Sequence, residues 1–266
     1  MADVHATAVV APGARLGEGT TIGPYCVLGA GVELGDGVVL HSHVVVEGRT
    51  RIGARTQIFP FASIGHRPQD LKYRGEDSEL IIGADNVIRE HVTMNPGTEG
   101  GGMVTRVGDG CLFMMGSHVA HDCHIGDRVI MANNATLGGH VIVEEEAIIG
   151  GLSAVHQFVR IGRNAIVGGM TGVEHDVIPY GLAMGERAHL HGINVVGLKR
   201  RGFERAEIQA LAQAVDALFS GEETLAERIE RLARMPGDVR GVGDIVNFVR
   251  DDSSRALCRP KAGDGG

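Results

Sequence analysis

The sequence predicts an all-β fold, a parallel β-helix built from hexapeptide repeats, followed by a C-terminal α-helical domain. Three observations lead to this prediction. An aliphatic residue recurs every six positions, glycine is frequent while aromatic residues make up only 4% of the chain, and the period changes to helical spacing after about residue 187. We therefore expect a β-helix over residues 1–187 and a helical domain over residues 188–266.

The six-residue period is the main feature of the sequence. Apolar residues occupy every sixth position in three stretches, 4–64, 82–94 and 107–173. The next residue is often Gly, and the fourth residue after is usually small. Three hexapeptides would close one triangular coil, with the aliphatic side chain pointing inward and Gly tolerating the turn. The alternative is a β-sandwich with Gly-rich turns, but sandwich strands do not keep one fixed period over such a length.

Two stretches interrupt the period and predict loops at about residues 70–81 and 97–106. Insertions in a solenoid become loops on its side, and such loops commonly contribute to binding. The first stretch is charged enough to be a merely solvated excursion instead.

The tail beyond residue 187 shows helical spacing in three segments. Apolar residues mark one helix over 208–219 and another over 242–249, and between them Thr224 and Glu227 form a capping box. Such a unit would cover the open end of the β-helix, whose unpaired edge would otherwise invite aggregation.

Composition and charge exclude several functional classes. The formal net charge of -8 argues against a nucleic-acid binder. An apolar run of membrane-spanning length and the pattern of a signal peptide are both missing from the sequence, so we expect no membrane insertion. The four cysteines include no CxxC pair, which favours reduced thiols in a cytosolic protein. Cys26, Cys111 and Cys123 fall on the small inward position and are expected to be structural.

The unbroken register after residue 107 turns sequence spacing into geometry. Residues eighteen apart would lie above one another on coils about 4.8 Å apart. One small patch would therefore gather five polar side chains and two glycines, namely His121, Asp122, His140, His156, Gln157, Gly138 and Gly139.

This patch contains the groups that acyl transfer requires. His121 could take a proton from a hydroxyl, Asp122 could orient the ring, and the Gly139 N–H could donate to an oxyanion formed on a thioester carbonyl. Adjacent strand residues point to opposite sides, so the pair works only if Asp122 lies at a corner. The alternative is a chance cluster of histidines on an exposed face.

A zinc site is a further hypothesis, because His118, His121 and His124 lie close in sequence. The spacing of three places them on successive parts of a coil, pointing apart, so we expect no metal site within one chain. Ligands shared across a trimer remain an alternative.

Four segments carry a resemblance to a known family: FASIGHRPQDLKYRGE (61–76), SHVAHDCHIGDRVIMANNATLGGHV (117–141), AIIGGLSAVHQFVRIG (147–162) and GINVVGLKRRGF (192–203). They closely resemble the UDP-N-acetylglucosamine O-acyltransferases, which perform the first step of lipid A synthesis. The resemblance implies left-handed coils and a cytoplasmic homotrimer. It also implies transfer of an (R)-3-hydroxyacyl chain from the phosphopantetheine of acyl carrier protein to the sugar 3-hydroxyl, without a cofactor of the enzyme's own.

The resemblance also implies roles for individual residues. His121 would be the general base, Asp122 its partner, and Gly139 the oxyanion donor. The expected substrate-binding residues include the histidines of the cluster, the first loop, the acyl-chain gauge and the nucleotide contacts: His118, His140, His156, Gln157, Asp70, Lys72, Gly169, Asn194, Arg200 and Arg201. Because Gly169 has no side chain, a long acyl chain is expected. An acidic carrier would meet a basic patch of Lys199, Arg200, Arg201 and Arg205.

Two positions depart from the family's best-known type. Val196 stands where such relatives have an acidic residue near the nucleotide, and Arg187 stands where they have a histidine. Three other functions remain open: acylation of the 3-amine of a diamino UDP-sugar, a zinc enzyme of the carbonic anhydrase type, and a non-catalytic β-helix. The last class would show repeated Thr ladders, which this sequence lacks.

Overall fold

The computed structural model describes residues 1–235 and 239–261. Over these ranges the chain forms the predicted left-handed parallel β-helix, with three sheets as its faces, followed by four α-helices. The parts of the predicted helical domain at 236–238 and 262–266 lie outside the described residues.

The strands are short and are named in chain order. The first sheet contains β1 (Asp3–Val4), β4 (Thr21–Ile22), β7 (Val39–Leu40), β10 (Gln57–Ile58), β13 (Val87–Ile88), β16 (Leu112–Phe113), β19 (Ile130–Met131), β22 (Ile148–Ile149), β25 (Ile166–Val167), β27 (Gly181–Met184) and β28 (His189–Ile193). The second contains β2 (Val9–Val10), β5 (Val27–Leu28), β8 (Val45–Val46), β11 (Ser63–Ile64), β14 (Thr93–Met94), β17 (His118–Val119), β20 (Thr136–Leu137), β23 (Ala154–Val155) and β26 (Gly172–Val173). The third contains β3 (Arg15–Leu16), β6 (Glu33–Leu34), β9 (Arg49–Ile52), β12 (Glu79–Ile82), β15 (Val104–Val107), β18 (His124–Ile125), β21 (Ile142–Val143) and β24 (Arg160–Ile161).

The predicted period of six coincides with these strands. Each of the strands β1 to β26 ends on one of the apolar positions of the repeat. From β4 onward these end residues are buried, and the core they form includes Phe113 with none of its surface exposed. Cys26, Cys111 and Cys123 are also buried in that core and unpaired, as expected.

Stacking follows the predicted register of eighteen. Thr136 pairs with Ala154 in the same parallel ladder. Across the two insertions the offset grows, because Gln57 pairs with Val87 at thirty residues and Val87 with Leu112 at twenty-five. The insertions therefore add twelve and seven residues (30 − 18 and 25 − 18), and neither disturbs the ladder.

The loop boundaries differ from the prediction. The first loop occupies 65–78 and the second 95–103, since 79–81 and 104–106 belong to the long strands β12 and β15. These strands pair with each other over four residues, so the ladder resumes before the six-residue pattern does.

The role of the repeated glycine also differs from the prediction. The corners that require a left-handed backbone are mostly occupied by other residues, such as Leu152 at φ 58 and Phe158 at φ 65. Gly17, which follows an inward aliphatic residue, is needed for another reason. A Cβ at Gly17 would lie 2.4 Å from the carbonyl carbon of Gly35 on the next coil. This glycine therefore permits close stacking of coils.

The C-terminal part begins with a strand rather than a helix. β28 runs antiparallel to β27, so residues 189–193, predicted to be helical-domain residues, extend the first sheet. The helices follow: α1 (Val195–Arg200), α2 (Arg205–Phe219), α3 (Leu225–Ala233) and α4 (Val242–Arg250). Thr224 and Glu227 form the expected capping box at α3. None of the helices in the described ranges has the length and apolarity that a membrane crossing requires.

A buried ion pair joins the C-terminal segment to the β-helix. Asp176, with no exposed surface, accepts hydrogen bonds from the Arg160 backbone N–H and Nε, both at 2.8 Å, and from the Ser253 hydroxyl at 2.6 Å. The Arg160 guanidinium also lies 4.3 Å from the ring centre of Phe248 on α4. The carboxylate therefore holds coil, helix and tail together.

We expect Asp176→Ala to lower the free energy of unfolding by about 3–5 kcal/mol, because the Arg160 guanidinium, whose side chain is only 12% exposed, would lose its carboxylate partner. The measurement is urea denaturation followed by circular dichroism. The control is Arg15→Ala, which breaks an ion pair with Glu33 whose arginine side chain is 73% exposed. That control is expected to cost less than about 1 kcal/mol. Equal, small effects of the two substitutions would contradict the assigned role of Asp176.

Candidate active site

The predicted polar patch lies at the corner between the second and third sheets. Successive coils place His121 with Asp122, Gly139 with His140, and Gln157 with Phe158 at this corner. Asp122 has a left-handed backbone with φ 60, so its side chain turns to the same side as that of His121. Asp122 thus meets the requirement that it lie at a corner, and His121 Nδ1 lies 2.7 Å from Asp122 Oδ2.

The Asp122 carboxylate is fully buried and well supplied with donors. Its Oδ1 accepts from the Thr98 N–H at 2.8 Å and its Oδ2 from the Thr98 hydroxyl at 2.6 Å. The Asp122 N–H donates to the Thr105 hydroxyl at 2.8 Å. Thr98 and Thr105 flank the tip of the second insertion. Thr98 was not predicted because it lies within the insertion, where no eighteen-residue column applies, and Thr105 was not predicted although β15 keeps the offset of eighteen with β18.

The hydrogen bond to Asp122 fixes the role of each imidazole nitrogen of His121. An ionised carboxylate accepts only, so Nδ1 carries the proton and Nε2 keeps a free lone pair. The ring lies against Gly139, where a Cβ would stand 2.4 Å from His121 Cε1 and 2.6 Å from Nε2. Only glycine leaves room for this ring. The Gly139 N–H donates to no other described residue, so it is available to a ligand.

His140 lies against one side of the His121–Asp122 pair, which we call the dyad. Its Nε2 lies 3.9 Å from Asp122 Oδ2, its ring meets His121 edge-on, and it stacks on Phe158 with ring centres 4.4 Å apart. Burial lowers the pKa of His140 below its ordinary value, and the opposed charges of Asp70 and Lys72 also act on it. His140 is therefore suited to neutral hydrogen bonding.

His118 lies on the neighbouring strand and faces an open groove. Burial lowers the pKa of His118, and its Nδ1 lies 2.7 Å from the Thr93 hydroxyl. The groove has a volume of about 510 Å³ and is lined by residues of four coils and by one residue of the first loop, including His118, His121, Gly138, Gly139, Gln157 and Gln69. Gln69 was not predicted, since nothing in its spacing connects the loop to the corner.

The nucleotide residues implied by the resemblance lie elsewhere on this chain. Asn194 caps α1, accepting from the Gly197 N–H at 2.9 Å and donating to the Asn164 carbonyl at 3.0 Å. Arg201 is bonded to Glu146. Asn164 and Glu146 mark the corner between the third and first sheets. The α1 helix, with the exposed Arg200 at its end, is therefore attached to a different corner from His121.

Two further expected residues are not among those that line the groove. Gly169 lies at the third corner, stacked on Gly151. His156 is exposed, and its Nδ1 lies 2.7 Å from the Arg255 guanidinium. The single chain thus gathers the dyad, Gly139, His118, His140, Gln157 and Gln69 of the first loop, but not the nucleotide residues or Gly169.

The two departures from the family pattern are both exposed. Val196 lies in the first turn of α1 with 61% of its surface accessible. Arg187 forms an exposed ion pair with Glu174 at 3.1 Å. Neither side chain supports the fold.

The three histidines of the zinc hypothesis do not converge. Over residues 1–235 and 239–261, the one group of at least three His, Cys, Asp or Glu residues with ligand atoms mutually within 4.8 Å is His121, Asp122 and His140. Asp122 Oδ2 already accepts from His121 and Thr98.

Comparison with known proteins agrees with this architecture. The hexapeptide-repeat model of bacterial transferases matches residues 13–48 and 105–139, and the model of UDP-N-acetylglucosamine O-acyltransferase, domain 2, matches residues 176–258. The acyl-[acyl-carrier-protein]--UDP-N-acetylglucosamine O-acyltransferase of Paracoccus denitrificans is 56% identical over 203 residues, covering 76% of this chain and 77% of its own length.

Similarity also extends over the whole chain. The enzyme of the same name from Rhizobium johnstonii is 47% identical over 265 residues, covering 100% of this chain and 97% of its own length. A crystal structure of a UDP-N-acetylglucosamine acyltransferase superposes with a TM-score of 0.93 at 41% identity, covering 98% of this chain and 100% of that one. With the same repeat, the same helical tail and near-complete coverage, the chain belongs to the UDP-N-acetylglucosamine O-acyltransferase family.

Proposed function

We propose that this chain transfers an (R)-3-hydroxyacyl group from acyl carrier protein to the 3-hydroxyl of UDP-N-acetylglucosamine, the first step of lipid A synthesis. The observation that carries the proposal is the His121–Asp122 dyad lying on Gly139 in a member of this family. The dyad supplies a base, and the glycine supplies an N–H that has no acceptor among the described residues; acyl transfer to an alcohol needs both groups.

The geometry suits a direct transfer. His121 Nε2 removes the proton from the sugar hydroxyl as its oxygen attacks the thioester carbonyl, and Asp122 stabilises the resulting imidazolium. The Gly139 N–H donates to the oxyanion of the tetrahedral intermediate. Collapse breaks the carbon–sulfur bond, and His121 returns the proton to the departing thiolate.

The carrier protein would supply the acyl chain already activated, so the proposal includes no cofactor of the chain's own. Lys199, Arg200 and Arg205 are exposed at the junction of α1 and α2, and they form a basic surface suited to an acidic carrier. Arg201 is withdrawn from this surface by Glu146. We place the reaction in the cytoplasm, where unpaired cysteines such as the four of this chain remain reduced.

The proposed active form is a homotrimer. The dyad, the α1 helix and Gly169 occupy three different corners of one prism, so these residues cannot meet within a chain. Packing three prisms around a threefold axis would bring a corner of one chain against a different corner of its neighbour. The trimer therefore offers a way for the base of one chain to face the nucleotide and acyl-chain residues of another.

The first test is acylation of UDP-N-acetylglucosamine by the purified protein with hydroxyacyl carrier proteins of several lengths. Loss of the base in His121→Ala is expected to lower kcat by about 100- to 10,000-fold. The control is His5→Ala, an exposed histidine at the amino terminus. If product forms only with a 3-amino UDP-sugar, that sugar replaces UDP-N-acetylglucosamine as the proposed acceptor. Retained activity in His121→Ala would remove His121 from its role.

The trimer predicts complementation between two inactive chains. His121→Ala and Arg200→Ala are each expected to retain under about a tenth of the activity, because one loses the base and the other a phosphate contact. When both variants are co-expressed, about one quarter of the sites should combine an intact corner with an intact α1. Activity measured per site should rise accordingly. Mixed trimers no more active than either variant alone would contradict a shared site.

Gly169 predicts the choice of acyl chain. A Cβ there would lie 3.3 Å from the Gly151 carbonyl oxygen, so the backbone can accept a side chain with a small adjustment. We expect Gly169→Met to lower kcat/KM for the longest accepted chain by about 10-fold or more while sparing shorter ones.

The measurement is competition between carriers of different chain length. Leu152→Met, an exposed conservative change one coil away at the same corner, is the control. An unchanged length profile in Gly169→Met would show that Gly169 does not limit the chain.

A further inference from the structure

We infer that the second insertion is a clamp that holds the catalytic dyad in place. Thr98 is its positioning residue and the third member of a hydrogen-bonded triad, His121–Asp122–Thr98. The inference rests on the proposed function of the dyad. It explains why the repeat breaks at this point, immediately before the coil that carries His121.

Thr98 makes two hydrogen bonds to one carboxylate. Its N–H donates to Asp122 Oδ1 and its hydroxyl to Oδ2, and Thr98 itself is buried with 5% of its surface exposed. A fully buried carboxylate has lost its hydration, so donors from the protein must replace the water. Thr98 supplies two of them and His121 the third.

The two bonds also fix the direction of the carboxylate. Oδ2 accepts from the Thr98 hydroxyl and from His121 Nδ1, while Oδ1 is held by the Thr98 backbone. Rotation about the carboxylate's carbon–carbon bond would break these contacts. Thr98 therefore keeps Oδ2 aimed at the imidazole, and this contact selects the tautomer with a free Nε2.

The loop is built to hold Thr98 still. The Thr98 carbonyl accepts from the N–H groups of Gly101 and Met103, at 3.1 and 3.0 Å, closing a compact turn around it. Gly101 packs directly on the carboxylate, since a Cβ there would lie 2.0 Å from Asp122 Cγ. The insertion thus covers Asp122 as well as bonding to it.

The strand that ends the insertion anchors the backbone of the same residue. The Thr105 hydroxyl, fully buried, accepts from the Asp122 N–H. Asp122 has φ 60, a conformation that is uncommon outside glycine but tolerated by Asp. One side of the insertion therefore holds the carboxylate and the other holds the strained corner that presents it.

Thr98→Val tests this assignment, because it removes the hydroxyl while keeping the shape and the backbone N–H. We expect kcat to fall about 10- to 100-fold with KM nearly unchanged, since a hydrogen bond to a charged group is lost. Thr98→Ser retains the hydroxyl and should recover most of the activity. Thr20→Val, at a buried threonine of an early coil, is the matched control and should leave kcat unchanged. The assigned role of Thr98 would be overturned if Thr98→Val kept the wild-type kcat, or if Thr98→Val and Thr98→Ser lost equal activity.

A second readout does not depend on the acceptor. The His121 Nδ1 proton should give a low-field ¹H NMR resonance that disappears in His121→Gln. This resonance should shift or broaden in Thr98→Val and persist in Thr98→Ser. If the wild type acylates neither sugar, the proposed function fails while this measurement still decides the role of Thr98. An unaltered resonance in Thr98→Val would count against the clamp.

Discussion

The ladder of parallel backbone hydrogen bonds between coils is the constraint on which the rest of the structure depends. It holds residues eighteen apart in one column, so a side chain's height and face follow from its number. The inward aliphatic residues fill the axis and leave no alternative register, because a slip of one residue would turn them outward. His121, Gly139 and Gln157 thus occupy one column without any long-range loop to bring them there.

Much of the fold could be predicted because the repeat is local and regular. The apolar positions from Val4 to Val173 coincide with strand ends, and the capping box at Thr224 begins a helix. The structure deviates from the prediction where hydrogen bonding between neighbouring strands extends beyond what the apolar sequence pattern indicates. β12 and β15 begin before their aliphatic residues, and β28 joins the first sheet although helical spacing follows it. Gly17 was predicted for its backbone freedom, but it is required for the closeness of the next coil.

The site could be predicted only as far as the register extends. His121, Asp122 and His140 follow from eighteen-residue spacing. That Asp122 lies at a corner was only a condition of the hypothesis, and the left-handed backbone of Asp122 in the structure meets that condition. Thr98 and Gln69 could not be found, because inserted residues have no column. Asn194 and Arg201 match family positions, yet their neighbours in this chain are Asn164 and Glu146. Sequence similarity identifies such residues without saying which copy of the chain they serve.

The two insertions of twelve and seven residues have an evolutionary consequence. Each leaves the β-helix after a strand of the second sheet and re-enters at the next strand of the third sheet, at a corner where the chain turns in every coil. The entropy cost of closing such a surface loop rises only slowly with its length. Functional residues can therefore be gained or lost on such a loop without any change in the packing of the core. A lineage that lengthened one such excursion would keep its foldability while its reactivity drifted. In this architecture, functional change can be limited to the loops at the corners of the β-helix, while the core stays the same as long as the six-residue repeat is kept.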